Sequence, residues 1–170
     1  MKYERFEHLP VWQAGIEPAT AVYALTGKIE FEKRYSLRDQ IERAAVSVSN
    51  NIAEGFERGT TQETLTFLYI ARGSAGEVRS MLCLLERIPA FSNLKSEISN
   101  LKSPAESISR QLRAWADSLQ NSGIKGQRYL TDQTRKTDQA KRDRDEFLQR
   151  LEQVRRGAPY TELRDLKSQI

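Results

Sequence analysis

The sequence predicts an all-α protein: an up-down antiparallel four-helix bundle over residues 1–122, then a charged helical C-terminal extension over residues 123–170. Three observations carry this. Apolar residues recur at three- and four-residue steps through four stretches, the spacing of a helix with one buried stripe. The link Glu57 to Gly59 is short, which makes the helices on either side antiparallel neighbours. After Asn121-Ser122-Gly123, a stop signal, apolar side chains thin out and charges of both signs crowd in.

Residues 1–10 read as a lead-in. Pro10 opens the first helix near the position where a missing N–H costs least. The buried stripe is Val11, Gly15, Pro18, Val22 and Leu25, flanked by Trp12 and Tyr23, and Thr26-Gly27 ends it. Pro18 removes one backbone hydrogen bond and crowds the preceding turn, so a kink or a break is expected there. Residues 28–34 are a charged connection with Phe31 tucked in.

The second helix and its exit cover residues 35–58, with Leu37, Ile41, Ala44, Val48 and Ile52 as the buried stripe. Beside it runs a polar stripe of Arg43, Ser47, Asn51 and Glu54, next to Ala44, Ala45 and Ala53, which let neighbouring helices come close. Gly55 is expected to end or bend the helix as a C-cap.

The third helix starts at Thr60 or Thr61, where Thr60 and Glu63 have capping-box spacing, and runs to about Arg87, a rod of about 42 Å. Gly73, Ser74 and Gly76 lie mid-helix. Each glycine costs roughly 1 kcal/mol against alanine, so close approach of another backbone, or a polar contact at Ser74, is expected.

The fourth helix shows Leu94, Ile98, Leu101, Ala105, Ile108, Leu112, Trp115 and Leu119 in a sustained heptad pattern. The phase holds through Ser103-Pro104, which reads as one helix over residues 92–122 kinked at Pro104. The alternative is two helices, with Ser103 as N-cap. In the extension a helix is expected over about 130–156, with an apolar patch of Phe147, Leu148, Leu151 and Val154. An amphipathic tail of Tyr160, Leu163, Leu166 and Ile170 follows, needing a partner surface.

Charge is segregated along the chain. Residues 1–122 hold fifteen Lys/Arg and fifteen Asp/Glu; residues 123–170 hold twelve and eight, which is the whole net charge of +4. No run of eighteen apolar residues and no apolar run after MKYERFEHLP occur, so neither a membrane span nor a secretory signal is expected, and the cytoplasm is the expected location. One His and one Cys exclude the usual zinc sites within one chain, and Cys83 in MLCLL is expected to be a buried core residue. No metal and no cofactor are expected.

Several strings resemble a known family. Tyr35-x-Leu37, Gln40, Arg43 to Val48, Asn51-Ile52-Ala53-Glu54-Gly55-Phe56 and Arg58 are similar to the signature of the bacterial four helix bundle proteins, also called the 23S rRNA intervening-sequence proteins. Phe67-Leu68, Ala71-Arg72-Gly73-Ser74 and Glu77 resemble its second signature, and Leu9-x-Val11-Trp12 with Val22-Tyr23 and Leu25-Thr26 its first helix. The resemblance spans about residues 6–120. It implies a bundle that assembles as a ring-like homopentamer and has no catalytic activity. It also implies, from retroelement accessory proteins in the family, a reverse transcriptase and its RNA as partners. The chain departs from those strongly basic relatives in its charge-neutral residues 1–122, in Pro18, and in its long extension.

These features point to a non-enzymatic accessory scaffold that binds a nucleic-acid-processing partner. The alternative is direct RNA or DNA binding through Arg135, Lys136, Lys141, Arg142 and Arg144, although Asp138, Asp143 and Asp145 interrupt that run. Arg43, Ser47, Asn51, Glu54, Arg72, Ser74 and Glu77 are read as a polar network within the bundle or between protomers, since buried polar groups must pair and such networks fix register. Glu54 and Glu77 lack any accompanying nucleophile, metal set or phosphate loop, so no catalytic residue is assigned. Tyr160, Leu163, Leu166 and Ile170 are the candidate partner-binding tail.

Overall fold

The computed structural model describes residues 3–123, 125–126 and 132–155. Among these, every regular element is helical: α1 (Pro10–Thr26), α2 (Tyr35–Glu57), α3 (Thr61–Leu85), α4 (Lys95–Gln120) and α5 (Asp132–Arg155), with 3-10 turns at Phe6–His8, Ile29–Phe31 and Pro89–Leu94. The chain falls into two units, residues 1–127 and 128–170. The first holds α1 to α4 and the second holds α5.

In the first unit each helix packs on its chain neighbours, and α4 closes on α1. Cross-links give the directions. Lys28 at the end of α1 pairs with Glu97 at the start of α4, 2.6 Å apart. Thr26 donates to Glu42 at 2.5 Å. Gln40 donates to Glu77 at 3.4 Å, and Gln120 donates to Tyr69 at 3.1 Å. All four seams are therefore antiparallel.

The core divides into two clusters along the bundle. One gathers Val22, Leu25, Phe31, Ile41, Leu82, Leu85, Phe91 and Ile98 at the end where the α1–α2 and α3–α4 connections cross. The other gathers Val11, Val48, Ile52, Leu65, Leu68, Ile108 and Leu112. Phe31 is buried, as its isolated place in a charged connection suggests. Trp12 and Trp115 are half-buried and lie against the second cluster.

Several expectations need correction. Helix α1 runs through Pro18 unbroken, because the ring itself occupies a buried place in the α1 stripe. Helix α4 also runs through Pro104, which is exposed, but it starts at Lys95 and not Ser92. The preceding 3-10 turn holds Phe91 at φ −108°, ψ 16°, outside helical geometry, and so buries its ring. Gly55 is not a C-cap: α2 continues to Glu57 and Gly55 lies buried against α3. The positive-φ glycine among the described residues is Gly126, at 112°. Cys83 is half-buried and not a core residue. Thr60 caps α3 by accepting from the Glu63 N–H at 3.2 Å, but the Glu63 carboxylate takes the Thr60 hydroxyl at 2.6 Å, so the box is closed side chain to side chain.

The second unit is described through α5. Its apolar stripe, Phe147, Leu148, Leu151 and Val154, is exposed. The charged side chains of Lys136, Lys141, Arg142 and Arg144 are exposed as well. The expected ends of this helix, the side chain of Arg135, and Tyr160, Leu163, Leu166 and Ile170 lie outside the described residues.

Candidate functional site

The outer face of the α2–α3 seam collects most of the residues singled out from sequence. Helix α2 presents Gln40, Ser47 and Asn51 toward α3 because their four- and seven-residue steps keep them one flank away from the Ile41–Val48–Ile52 stripe. Helix α3 answers with Ile70, Ser74 and Glu77.

At mid-height the seam holds a directed hydrogen-bond chain. The Asn51 amide donates to Ser47 O at 2.7 Å and to Ser47 Oγ at 2.9 Å. Ser47 Oγ and Ser74 Oγ are 2.9 Å apart, and Ser74 Oγ donates to Ile70 O at 3.1 Å. Each hydroxyl has one proton, so Ser74 giving its proton to Ile70 requires Ser47 to donate to Ser74. The order Asn51, Ser47, Ser74, Ile70 runs one way, and it leaves Asn51 Oδ1 without a protein partner among the described residues. Serine in mid-helix is otherwise unremarkable; here Ser74 is buried. Ser74→Ala removes the acceptor that Ser47 uses and should cost about 1 kcal/mol in urea unfolding. An unchanged midpoint would show that the chain is re-formed through water.

The network is smaller than the sequence suggests. Ser47, Asn51 and Ser74 are joined, and Gln40 reaches Glu77. Arg43 is exposed and pairs along its own helix with Asp39 at 3.2 Å. Glu54 pairs with Arg58, the residue that follows α2. The Arg58 guanidinium lies 4.7 Å from the Phe67 ring centroid, which ties that end of α2 to α3. Arg72 projects away from the seam toward α4. A 100° step per residue explains these exclusions: Arg43 and Glu54 fall one flank further out than Ser47 and Asn51.

Sequence reading missed two parts of this face. Leu84 exposes a large side chain at one end of the seam, and Ile70 is exposed near its middle. Gly73 also lies in the exposed strip of α3, and a Cβ placed on it would meet nothing within 4 Å. The fold of one chain therefore does not explain that glycine.

The α1–α4 seam carries an open trough of about 320 Å³ lined by Ala14, Glu17, Pro18, Ala21, Pro104 and Ile108 among others. Glu17 is its single carboxylate, so paired acid–base chemistry has no second group there. Among the described residues no cluster of three His, Cys, Asp or Glu side chains is placed to hold a metal ion.

Comparison with known proteins agrees with this architecture. A protein of unknown function from the S23 ribosomal protein family of Bacteroides thetaiotaomicron, solved as a crystal structure at 1.70 Å, superposes with a TM-score of 0.57 at 21% identity. The superposition covers 62% of this chain and 97% of that one, and at this identity it speaks to the fold alone. No curated protein matches the sequence. The family description "23S rRNA-intervening sequence protein" matches residues 7–114, the whole of α1 to α3 and most of α4, and the chain belongs to that family.

Proposed function

We propose that this chain is a non-enzymatic, homo-oligomeric accessory scaffold, a ring-like homopentamer in the cytoplasm, that holds a nucleic-acid-processing partner such as a reverse transcriptase, with its RNA. The observation that carries the reading is the outer α2–α3 seam. Ile70 and Leu84 are exposed there beside an open glycine, a surface suited to close packing against another copy. A closed ring repeats every other surface once per subunit, so weak contacts to one partner add through effective concentration. The exposed apolar stripe of α5, with Tyr160, Leu163, Leu166 and Ile170 beyond it, is the proposed partner-binding element. No helix among the described residues is long and apolar enough to cross a membrane.

Native mass spectrometry tests the assembly. The wild-type chain is expected at a mass of about five subunits. Gly73→Arg is expected to leave helicity intact, since the position is open in the single chain, and to yield monomers. A wild-type monomer at micromolar concentration would sink the ring. A Gly73→Arg protein that still assembles would move the interface away from this seam.

The second reading is direct RNA or DNA binding through Arg135, Lys136, Lys141, Arg142 and Arg144. The exposure of Lys136, Lys141, Arg142 and Arg144 on α5 favours it. The interleaved acids weaken it; Arg144, for example, lies 3.9 Å from Asp145.

A further inference from the structure

Both prolines that lie inside helices, Pro18 in α1 and Pro104 in α4, border the open trough of the α1–α4 seam. Proline is the costliest residue in a helix interior, since it removes one backbone N–H and crowds the turn before it. Burial of the ring offsets this at Pro18. Pro104 is exposed, so no burial within the single chain offsets it there. Pro18 also has no N–H to give the Ala14 carbonyl, its α-helical partner four residues back, and Ala14 itself borders the trough.

The trough lies where the two core clusters meet: Leu101 packs against one and Ala14 against the other. Its floor is apolar and its polar groups are mostly acceptors. Glu42, Glu86, Glu97 and Glu106 each pair with a Lys or Arg. Glu17 has neither an ion pair nor a hydrogen bond among the described residues. Across the seam the Gln111 amide donates to Ser107 Oγ at 3.3 Å, and its carbonyl oxygen is an acceptor. No Lys or Arg borders the trough. An apolar floor beside one unpaired carboxylate and a carbonyl without its helical donor calls for an apolar body that carries a cation and N–H donors.

We infer that the α1–α4 trough binds a small amphiphilic organic cation, an alkyl chain ended by an ammonium or guanidinium group, with the headgroup on Glu17 and the chain over Pro18, Pro104 and Ile108. At about 320 Å³ the trough has room for about ten non-hydrogen atoms, taking the ~30 Å³ of one water for each. That is the size of one short alkyl chain with its headgroup, and seams between bundle helices are common places for such sites. Each helix packs on its chain neighbours and α4 closes on α1, so this seam lies opposite α2–α3. The site therefore stays open when copies pack through the α2–α3 face, and it does not rest on the scaffold reading.

The test is methyl NMR of the full-length chain with octylguanidinium as the probe and the Leu101 and Ile108 methyls as reporters. Saturable shifts are expected with a Kd of about 1 mM, as suits an open site and a ligand of about twelve heavy atoms. Glu17→Gln, a change at an exposed position, is expected to weaken octylguanidinium about tenfold, the loss of a charge-assisted hydrogen bond, and to leave octanol binding unchanged. Octyltrimethylammonium, which keeps the charge and lacks N–H donors, should bind more weakly than octylguanidinium. Ala21→Phe fills the trough and should abolish the shifts, while the Ile41 and Leu65 methyls report an intact fold.

The inference fails if no saturable shift appears at Leu101 and Ile108 by about 10 mM probe, tenfold above the expected Kd. It fails equally if Glu17→Gln binds octylguanidinium as wild type does, or if octanoate binds as tightly as octylguanidinium. Shifts confined to the Leu148, Leu151 and Val154 methyls would assign the probe to the apolar stripe of α5 and sink the trough. Native mass on the same samples separates a further failure: if Ala21→Phe lowers the mass of the wild-type assembly and the probe shifts nothing, the trough is an interface between copies. A monomer that binds the probe through Glu17 sinks only the ring.

Discussion

Phe91→Ala is expected to cost about 3–5 kcal/mol, the range for removing a fully buried aromatic ring. Phe91 sits in the 3-10 turn Pro89–Leu94 with none of its surface exposed. Its ring meets that of Phe31 from the α1–α2 connection, with centroids 4.7 Å apart and planes tilted by 51°. The Arg34 guanidinium covers the Phe91 ring at 5.3 Å. The two connections thus close one end of the bundle through a single ring pair, and alanine would open a cavity bounded by backbone that cannot collapse without unwinding the turn. Urea unfolding at fixed protein concentration reads the effect, because assembly would otherwise shift the apparent stability. The pair itself is worth about 0.5–1.5 kcal/mol beyond area, which a double-mutant cycle with Phe31→Leu and Phe91→Leu isolates. A loss under about 1 kcal/mol for Phe91→Ala would show that this end is not part of the cooperative core.

Gly55→Leu is expected to destabilise by about 3 kcal/mol or more, at the top of the overpacking range. Even the first carbon does not fit: a Cβ at Gly55 would lie 2.8 Å from Phe67 Cβ and 3.3 Å from Thr64 O. Neither neighbour can rotate away, since one is fixed to the α3 backbone and the other is part of it. The Thr64 hydroxyl donates to Gly55 O at 2.8 Å, which holds the two helices at this spacing. Gly55→Ala gains about 1 kcal/mol of helix propensity and should still lose, by about 1–2 kcal/mol net. The same change at Gly73 meets nothing and should raise single-chain stability by up to about 1 kcal/mol. Thermal unfolding of the two alanine variants should therefore move in opposite directions. Equal shifts would mean that α2 and α3 separate at Gly55 at no cost.

These two glycines mark where sequence reading reached and where it stopped. Gly55 and Gly73 both stand beside polar helix flanks, and neither has a local pattern that tells close approach from open surface. The N-terminus of α3 was legible because a cap is a local device: Thr60 and Glu63 act within one turn. The start of α4 was misread because Leu94 keeps the heptad phase although Phe91, three residues earlier, leaves helical geometry to bury its ring. Of the kink or break that propensity predicts at Pro18, the break does not occur, since the buried place of the ring in the α1 stripe offsets one missing hydrogen bond.

The polar network divides the same way. Ser47, Asn51 and Ser74 were legible as small polar residues where a solvated face would carry long charged ones. Arg43, Glu54 and Arg72 were grouped with them because a helical stripe read from sequence is wider than the seam itself.

The sequence by itself determined the helices and their buried stripes, since apolar periodicity acts within a segment, and it determined the shift from a neutral bundle to a basic extension. Only the tertiary structure decided which polar groups meet and which glycine is crowded. Ser47 and Ser74 are 27 residues apart and Phe31 and Phe91 are 60, and their pairing depends on how four antiparallel helices are rotated about their axes. That rotation is set by the sum of many side-chain contacts across the seams, and no stretch of one helix encodes it alone.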